Sequence, residues 1–181
     1  MDLIVAADKN WGIGRDGGLL ASLPTDMKYF KEHTTGKVVV MGRKTLESLP
    51  GKRGLPNRTN YVLTSNPDFT AERCITVNTE EELWTELSKY EPEDVILIGG
   101  ATLYNRFYRL CDKLYVTKMD ADLNADTFIT NFDEDPDFAI ISESEPITEN
   151  DVTYRFTVYE FPDIRFQYML PDKFRLSFLL V

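Results

Sequence analysis

The sequence predicts an α/β fold: a single domain with a central, mostly parallel β-sheet of about eight strands, an antiparallel C-terminal edge, and about four helices flanking both faces. Three observations carry this expectation. Leu3-Ile4-Val5-Ala6-Ala7, Val38-Val39-Val40-Met41 and Val95-Ile96-Leu97-Ile98 are continuous apolar runs, as expected of strands covered on both faces. Stretches with helical start signals alternate with those runs. Residues 113–119, 137–143 and 152–160 alternate polar and apolar side chains, which suggests antiparallel edge strands.

Taken in order, residues 2–7 read as a buried strand. Residues 8–23 hold Gly12, Gly14, Gly17 and Gly18 and read as a long loop of the kind that is usually functional in a compact domain. Pro24 opens a helix to about residue 33, since its fixed φ suits the first turn. The strand at 38–41 is followed by a short helix from Arg43 to Leu49 and a Gly/Pro-rich turn from Pro50 to Asn57. Strands follow at Asn60–Thr64 and Cys74–Val77. Thr79 and Glu82 have capping-box spacing and start a helix to about Tyr90, with Leu83, Leu87 and Tyr90 on its core side. The strand at 95–98 runs into Gly99-Gly100, which opens a helix to about Tyr108.

Composition narrows the function classes. A net charge of -10 and a pI near 4.6 argue against a nucleic-acid partner, which favours a basic surface. No run of eighteen apolar residues exists, so no membrane-spanning helix is expected. Met1 leads straight into the first strand without a positive leader, and Cys74 and Cys111 read as reduced packing thiols. The expected location is cytoplasmic. His33 is the only histidine; it reads as surface, and no metal site is expected. Trp11 and Trp84 read as core, and Glu80-Glu81-Glu82 as a helix start responding to its dipole.

Asp26 carries the chemistry. On its helix it shares a face with Met27 and Phe30. A carboxylate flanked by apolar side chains raises its pKa or finds a partner, which suits a flat, apolar ligand with hydrogen-bond donors at one end. The alternative is an ordinary first-turn Asp stabilised by the helix dipole. Two strand-to-helix turns suit phosphate: Met41-Gly42-Arg43-Lys44-Thr45 and Ile98-Gly99-Gly100-Ala101-Thr102. In each, glycine lets backbone approach a ligand at a helix N-terminus. Together they suggest a dinucleotide across the carboxyl ends of the sheet.

The ordered set Gly12-Ile13-Gly14, Leu23-Pro24-Thr25-Asp26-Met27-Lys28-Tyr29-Phe30, Met41-Gly42-Arg43-Lys44-Thr45, Leu55-Pro56-Asn57-Arg58, Ile98-Gly99-Gly100 with Tyr104, and Ala125-Asp126-Thr127 resembles the dihydrofolate reductase family. The resemblance covers residues 1–161 and leaves 162–181 as a C-terminal extension. It implies NADPH-dependent reduction of dihydrofolate to tetrahydrofolate, with hydride passing from nicotinamide C4 to pterin C6 and a proton added at N5. In this resemblance Asp26 holds the amidine edge of the pterin and Thr117 bridges to it. Ile4, Ala6, Met27, Phe30, Leu49 and Leu55 line the substrate pocket, and Arg58 pairs with the glutamate α-carboxylate. Ala7, Ile13, Gly14, Leu19 and Thr127 belong to the nicotinamide side and its covering loop. Gly42, Arg43, Lys44, Thr45, Thr64 and Ser65 meet the adenosine phosphates, including the 2′-phosphate. Ile98, Gly99, Gly100, Ala101, Thr102 and Tyr104 hold the pyrophosphate and nicotinamide half, with the Gly99–Gly100 bond cis. The implied partners are dihydrofolate and antifolate inhibitors, with no nucleic acid and no membrane. The implied state is a monomer, with self-association through the tail as the alternative.

The chain departs from that family in three places. Leu20-Ala21 stands where the family commonly has Pro-Trp, which leaves Leu19 or Leu20 to cover the site. Ala125 stands where a glycine is frequent. The extension is rich in apolar residues such as Phe166, Tyr168, Phe174 and Phe178; it could add a strand, mediate self-association or be an artefact. Two other functions stay in view. A riboflavin-pathway reductase of the same fold would have no use for Arg58, because its substrate carries no glutamate tail. A silent folate- or nucleotide-binding protein would not need the full set of site residues.

Overall fold

Strand β1 (Asp2–Ala7) forms on the first apolar run, and both sides of the sheet are built outward from it. The computed structural model describes residues 1–161; the expectations for 162–181 lie outside the described residues. After β1 the chain forms β2 (Gly12–Gly14), α1 (Pro24–Thr34), β3 (Val38–Gly42), α2 (Arg43–Ser48), β4 (Thr59–Leu63), β5 (Cys74–Val77), α3 (Glu80–Leu87), β6 (Val95–Gly99), α4 (Ala101–Phe107), β7 (Lys113–Met119), β8 (Thr127–Phe128), β9 (Ala139–Glu143), β10 (Ile147–Glu149) and β11 (Val152–Glu160). The main sheet has nine strands in the order β10-β11-β7-β1-β6-β3-β4-β5, with β9 also on β11; β2 and β8 form a separate ribbon. All pairs from β7 to β5 are parallel, and those of β11 are antiparallel.

The apolar runs work as two-sided strands because alternate residues feed opposite layers. Leu3, Val5, Val38, Val40 and Leu97 pack under α3 and α4, against Leu83, Leu87, Leu103 and Phe107. Ile4, Val39, Met41, Ile96 and Ile98 face the other way, against Leu46 of α2 and Tyr29 and Phe30 of α1. Helix α2 has only six residues, too few to persist alone. Leu46, fully buried, holds it to the sheet and contributes about 1.5–3 kcal/mol by burial.

Pro24 starts α1, and the capping box at Thr79 and Glu82 starts α3, both as expected. Helix α3 stops at Leu87 rather than Tyr90, because Lys89 and Tyr90 turn back to the carbonyls of Glu86 and Leu87. Residues 113–119 are not an edge strand: β7 lies between β1, to which it is parallel, and β11. Its alternation comes from Lys113, Thr117 and Lys118, whose polar ends meet Glu160, Asp26 and Asp133. Strand β11 is likewise interior, and only β9 and β10 form edges there. His33 is half-buried rather than fully on the surface. Its ring packs 4.0 Å from Tyr29 and 4.6 Å from Tyr115, with Nδ1 2.9 Å from the Tyr29 carbonyl.

The stretch read as one loop from 8 to 23 contains β2. Three residues with two glycines carry no periodic signal, so tertiary contacts decide its conformation. Buried Asp8 accepts the backbone N–H groups of Asn10, Gly12 and Leu123 at 2.9, 2.9 and 3.1 Å. Asp126 accepts the Asp16 N–H at 2.8 Å and donates its own N–H to the Gly14 carbonyl at 3.0 Å. A Cβ added at Gly12 would lie 2.2 Å from the Ala125 Cβ. Overpacking of this kind costs about 1–3 kcal/mol. Gly12→Ala should therefore lower the melting temperature, and adding Ala125→Gly should recover most of the loss. A double variant no more stable than Gly12→Ala would contradict this contact.

Candidate active site

Asp26 is placed by the first turn of α1, and Thr117 by β7, where it pairs in register with Ala6 of β1. The buried Thr117 hydroxyl donates to Asp26 Oδ1 at 2.6 Å. Burial of the Asp26 carboxyl raises its pKa, the Thr117 hydrogen bond opposes that rise, and the charge of Glu149 adds to it. The result is a half-buried acid whose proton is held more tightly than usual. Tyr29, one turn along α1, is pushed up to about 12 by burial, the neighbouring Tyr115 and Asp26, so its hydroxyl stays protonated at neutral pH.

The apolar walls assemble beside this carboxyl. Ile4 is buried in β1, while Phe30, Leu49 and Leu55 are half-buried on the layer beneath α1 and α2. Met27 is 49% exposed, which leaves an apolar surface next to Asp26 that a flat ring could cover. Leu55 is fixed by the buried Asn60: its N–H donates to Asn60 Oδ1 at 2.9 Å, and Asn60 Nδ2 donates to its carbonyl at 3.0 Å. Arg58 is not a loose surface charge. It donates to Thr34 Oγ1 from Nε and Nη2 at 3.2 and 2.9 Å and to the Pro56 carbonyl from Nη1 at 2.7 Å. Among the described residues no carboxylate neutralises it, and burial lowers its pKa. A fixed, unpaired guanidinium at the end of α1 suits a carboxylate ligand.

The two glycine turns meet at the carboxyl ends of β3 and β6, where Met41 is in register with Gly99. The Gly99–Gly100 peptide is cis, and Gly99 has φ 134°. A Cβ on either glycine would come 3.0 Å from Thr45 Oγ1, so the turns touch only because both positions lack side chains. Gly42 and Gly100 cap α2 and α4 without a side-chain hydrogen bond, leaving backbone N–H groups for a ligand. Arg43 lies 3.8 Å from Glu47, and Lys44 and Ser65 are exposed. Thr64 is buried at the end of β4, and Ala101 and Thr102 follow the second turn. Tyr104 is buried, with its hydroxyl donating to the Ile4 carbonyl at 2.7 Å. That bond ties α4 to the strand that lines the substrate wall.

On the remaining side, Ala7 and Ile98 are buried, Ile13 packs against the core, and Gly14 lies in the β2–β8 ribbon with Thr127. Leu19, in the stretch between β2 and α1, is 73% exposed. Leu20 and Ala21 instead pack with Leu23, Met119, Val152 and Tyr154. Three contributors were not expected as site residues. Asn60 was visible as a polar residue in an apolar strand. Thr34 and Glu149 were not, because their roles depend on partners distant in sequence. Among the described residues no group of acidic, His or Cys side chains could hold a metal ion, and no helix is long and apolar enough to cross a membrane.

A family model described as dihydrofolate reductase matches residues 1–161. The dihydrofolate reductase of Bacillus subtilis is 38% identical over 161 residues, covering 88% of this chain and 94% of that protein. That of Enterococcus faecium is 38% identical over 157 residues, covering 86% and 93%. A solved structure of a dihydrofolate reductase from Enterococcus faecalis, complexed with NADP(H) and RAB-propyl, matches with a TM-score of 0.80 at 34% identity, covering 90% of this chain and 96% of that one.

The tightly held proton of Asp26 affects stability as well as chemistry. The folded chain binds this proton more strongly than the unfolded chain, so stability falls as pH rises from the ordinary carboxylate value through the raised one. Above that window the destabilisation is complete. Asp26→Asn keeps an acceptor for Thr117 and removes the ionisation. It should melt at a higher temperature than the parent at neutral pH, with the gap closing in acid. A variant less stable than the parent at neutral pH, with the same fold, would contradict the burial assigned to Asp26.

Proposed function

This chain belongs to the dihydrofolate reductase family, and from that premise we propose that it reduces dihydrofolate to tetrahydrofolate with NADPH. The observation that carries the proposal is the lone carboxyl of Asp26, tied to Thr117 at 2.6 Å beside an apolar wall and a fixed, unpaired arginine. Dihydrofolate has a pterin ring with hydrogen-bond donors along one edge and flat apolar faces, and a glutamate tail that ends in carboxylates. Those three features correspond in order to Asp26, to Ile4, Ala6, Met27, Phe30, Leu49 and Leu55, and to Arg58.

NADPH, when bound, supplies the hydride, delivered from nicotinamide C4 to pterin C6. The residues present fit that cofactor. The meeting of Gly42, Thr45, Gly99 and Gly100 leaves a bare backbone cradle, and Arg43, Lys44, Thr64 and Ser65 border it with charge and hydroxyls. Ala101, Thr102 and Tyr104 continue the cradle along α4, while Ala7, Ile13, Gly14, Ile98 and Thr127 border the ring. The chain's own task is orientation and proton management. Asp26 accepts the amidine-edge donors and holds the ring in register. Burial raises its proton affinity, which favours the protonated state that the reduction needs, and a water relays a proton to N5. Turnover therefore falls as pH rises and the Asp26 site ionises.

Residues 1–161 supply every residue named here, so we assign the reaction to that unit and none of it to 162–181. The riboflavin-pathway alternative is disfavoured by Arg58, whose bonds to Thr34 and Pro56 hold a cation ready for a tail carboxylate.

The decisive measurement is NADPH oxidation with and without dihydrofolate; an absence of dihydrofolate-dependent oxidation would sink the proposal. Asp26→Asn should lower turnover by roughly 10²–10⁴-fold at neutral pH while keeping the fold. Turnover within about threefold of the parent would remove Asp26 from this role.

Arg58→Leu should weaken dihydrofolate and methotrexate by about 2–5 kcal/mol and leave NADPH binding nearly unchanged. An equal loss for trimethoprim, which has no glutamate tail, would mean that Arg58 acts through Thr34 and not through the ligand.

NADPH should give a much higher kcat/KM than NADH, because Arg43 and Lys44 complement a 2′-phosphate. Comparable values for the two cofactors would count against this pocket.

A further inference from the structure

Helix α1 carries Asp26 in its first turn, yet its N-cap is Leu23, which has no side chain able to cap. The free N–H groups there need an acceptor from elsewhere. Glu149, the last residue of β10, supplies it. Its Oε2 accepts the Thr25 backbone N–H at 3.1 Å and the Tyr154 hydroxyl at 2.8 Å, and its Oε1 accepts the Thr25 hydroxyl at 2.5 Å. Asn150, the next residue, donates from Nδ2 to the Ser22 carbonyl at 2.7 Å. The turn after β10 thus grips the segment just before Asp26 through two consecutive side chains.

We propose that Glu149 is a positioning residue for Asp26, clamping the first turn of α1 against the sheet and placing a fixed negative charge behind the Asp26 carboxyl. This inference rests on the proposed reaction, to which it adds a determinant more than a hundred residues away along the chain.

The groups around Asp26 leave Glu149 in that electrostatic role alone. From α1 itself comes Tyr29, protonated at neutral pH. From β7 comes the Thr117 hydroxyl, which donates to Asp26 and favours the ionised form. From β11 comes Tyr154, pushed up to about 12 by burial and Glu149, hence neutral. Glu149 itself is held below the usual carboxylate range, mainly by the hydrogen bonds from Thr25 and Tyr154. It is therefore ionised wherever Asp26 titrates, and it is the one charged group among the described residues that acts on Asp26. A like charge nearby makes ionisation of Asp26 harder, so Glu149 and burial push in the same direction. Capping and charge come from a single carboxylate: it stabilises the helix dipole while helping Asp26 retain its proton.

The test separates clamp from charge. Glu149→Gln keeps the length and an acceptor for Thr25 but removes the charge; Glu149→Met removes both; Glu149→Asp restores the charge on a shorter arm. The Asp26 carboxyl is titrated by carbon NMR in the chain without ligands, and hydride transfer is followed across pH in single turnovers. In Glu149→Gln the Asp26 midpoint should move to lower pH. Hydride transfer should drop about 3–10-fold on the alkaline side and stay near parental in acid, with KM for dihydrofolate changing less than kcat. Glu149→Met should move the midpoint the same way with a larger loss of thermal stability, and Glu149→Asp should return it toward the parent. An unmoved midpoint and pH profile in the charge-removing variants, alongside reduced stability, would overturn the proposal and leave Glu149 as a helix cap only. A parent without dihydrofolate-dependent turnover would overturn the assigned reaction instead, and the NMR titration would still decide whether Glu149 sets the proton affinity of Asp26.

Discussion

The hydrogen bond from Thr117 to Asp26 is the contact on which the rest of the site depends. It joins a helix that has little intrinsic reason to stay in place to the middle of the sheet. Helix α1 is largely polar, with one fully buried residue, Thr34, so burial alone anchors it weakly. Its position is fixed at both ends by polar contacts. At the start, Asp26 meets Thr117 and Thr25 meets Glu149. At the finish, Arg58 bonds the Thr34 hydroxyl, which itself donates to the Phe30 carbonyl at 2.8 Å. Two of the residues that hold the helix, Asp26 and Arg58, are those proposed to meet the substrate, so on that proposal stability and recognition share the same bonds.

The opposite wall is built on another principle. The two glycine turns are positioned by fully apolar strands, and their ligand-facing surface is mostly backbone. That arrangement suits an acidic protein with a net charge of -10. A broad basic surface is not needed when backbone N–H groups and two or three local cations can meet phosphate. Tyr104 couples the two walls, because its hydroxyl bonds the Ile4 carbonyl from beneath.

Much of this was legible in the sequence because the signals were local. Pro24, the Thr79–Glu82 box and the apolar runs each specify an element within a few residues, and the ordered motifs specified the family. What stayed hidden was set by contacts between distant segments. The β2–β8 ribbon has no periodicity and exists because Asp8 and Asp126 hold its backbone. The interior place of β7 was masked by its polar residues, Lys113, Thr117 and Lys118, whose partners lie far away in sequence. The inward turn of Leu20 and Ala21 onto Leu23 and Tyr154, which leaves Leu19 exposed, also had no local signal. Glu149 carried no signal at all, since a lone Glu in a polar turn looks like any solvated charge.

The replacement of Pro-Trp by Leu20-Ala21 and of a frequent glycine by Ala125 belong to one region. Ala125 adds a methyl against Gly12, at the start of the covering loop. Leu20 and Ala21 end that loop with less bulk than a tryptophan provides and no N–H donor. The loop is thereby tightened where it begins and thinned where it meets α1. Leu20 instead packs inward with Leu23 and Tyr154, and the polar group of Thr25, Glu149 and Tyr154 holds the start of the helix that follows. On the proposed mechanism, the proton affinity of Asp26 is then set by contacts among α1, β7, β10 and β11, and the loop before α1 is left to exclude water.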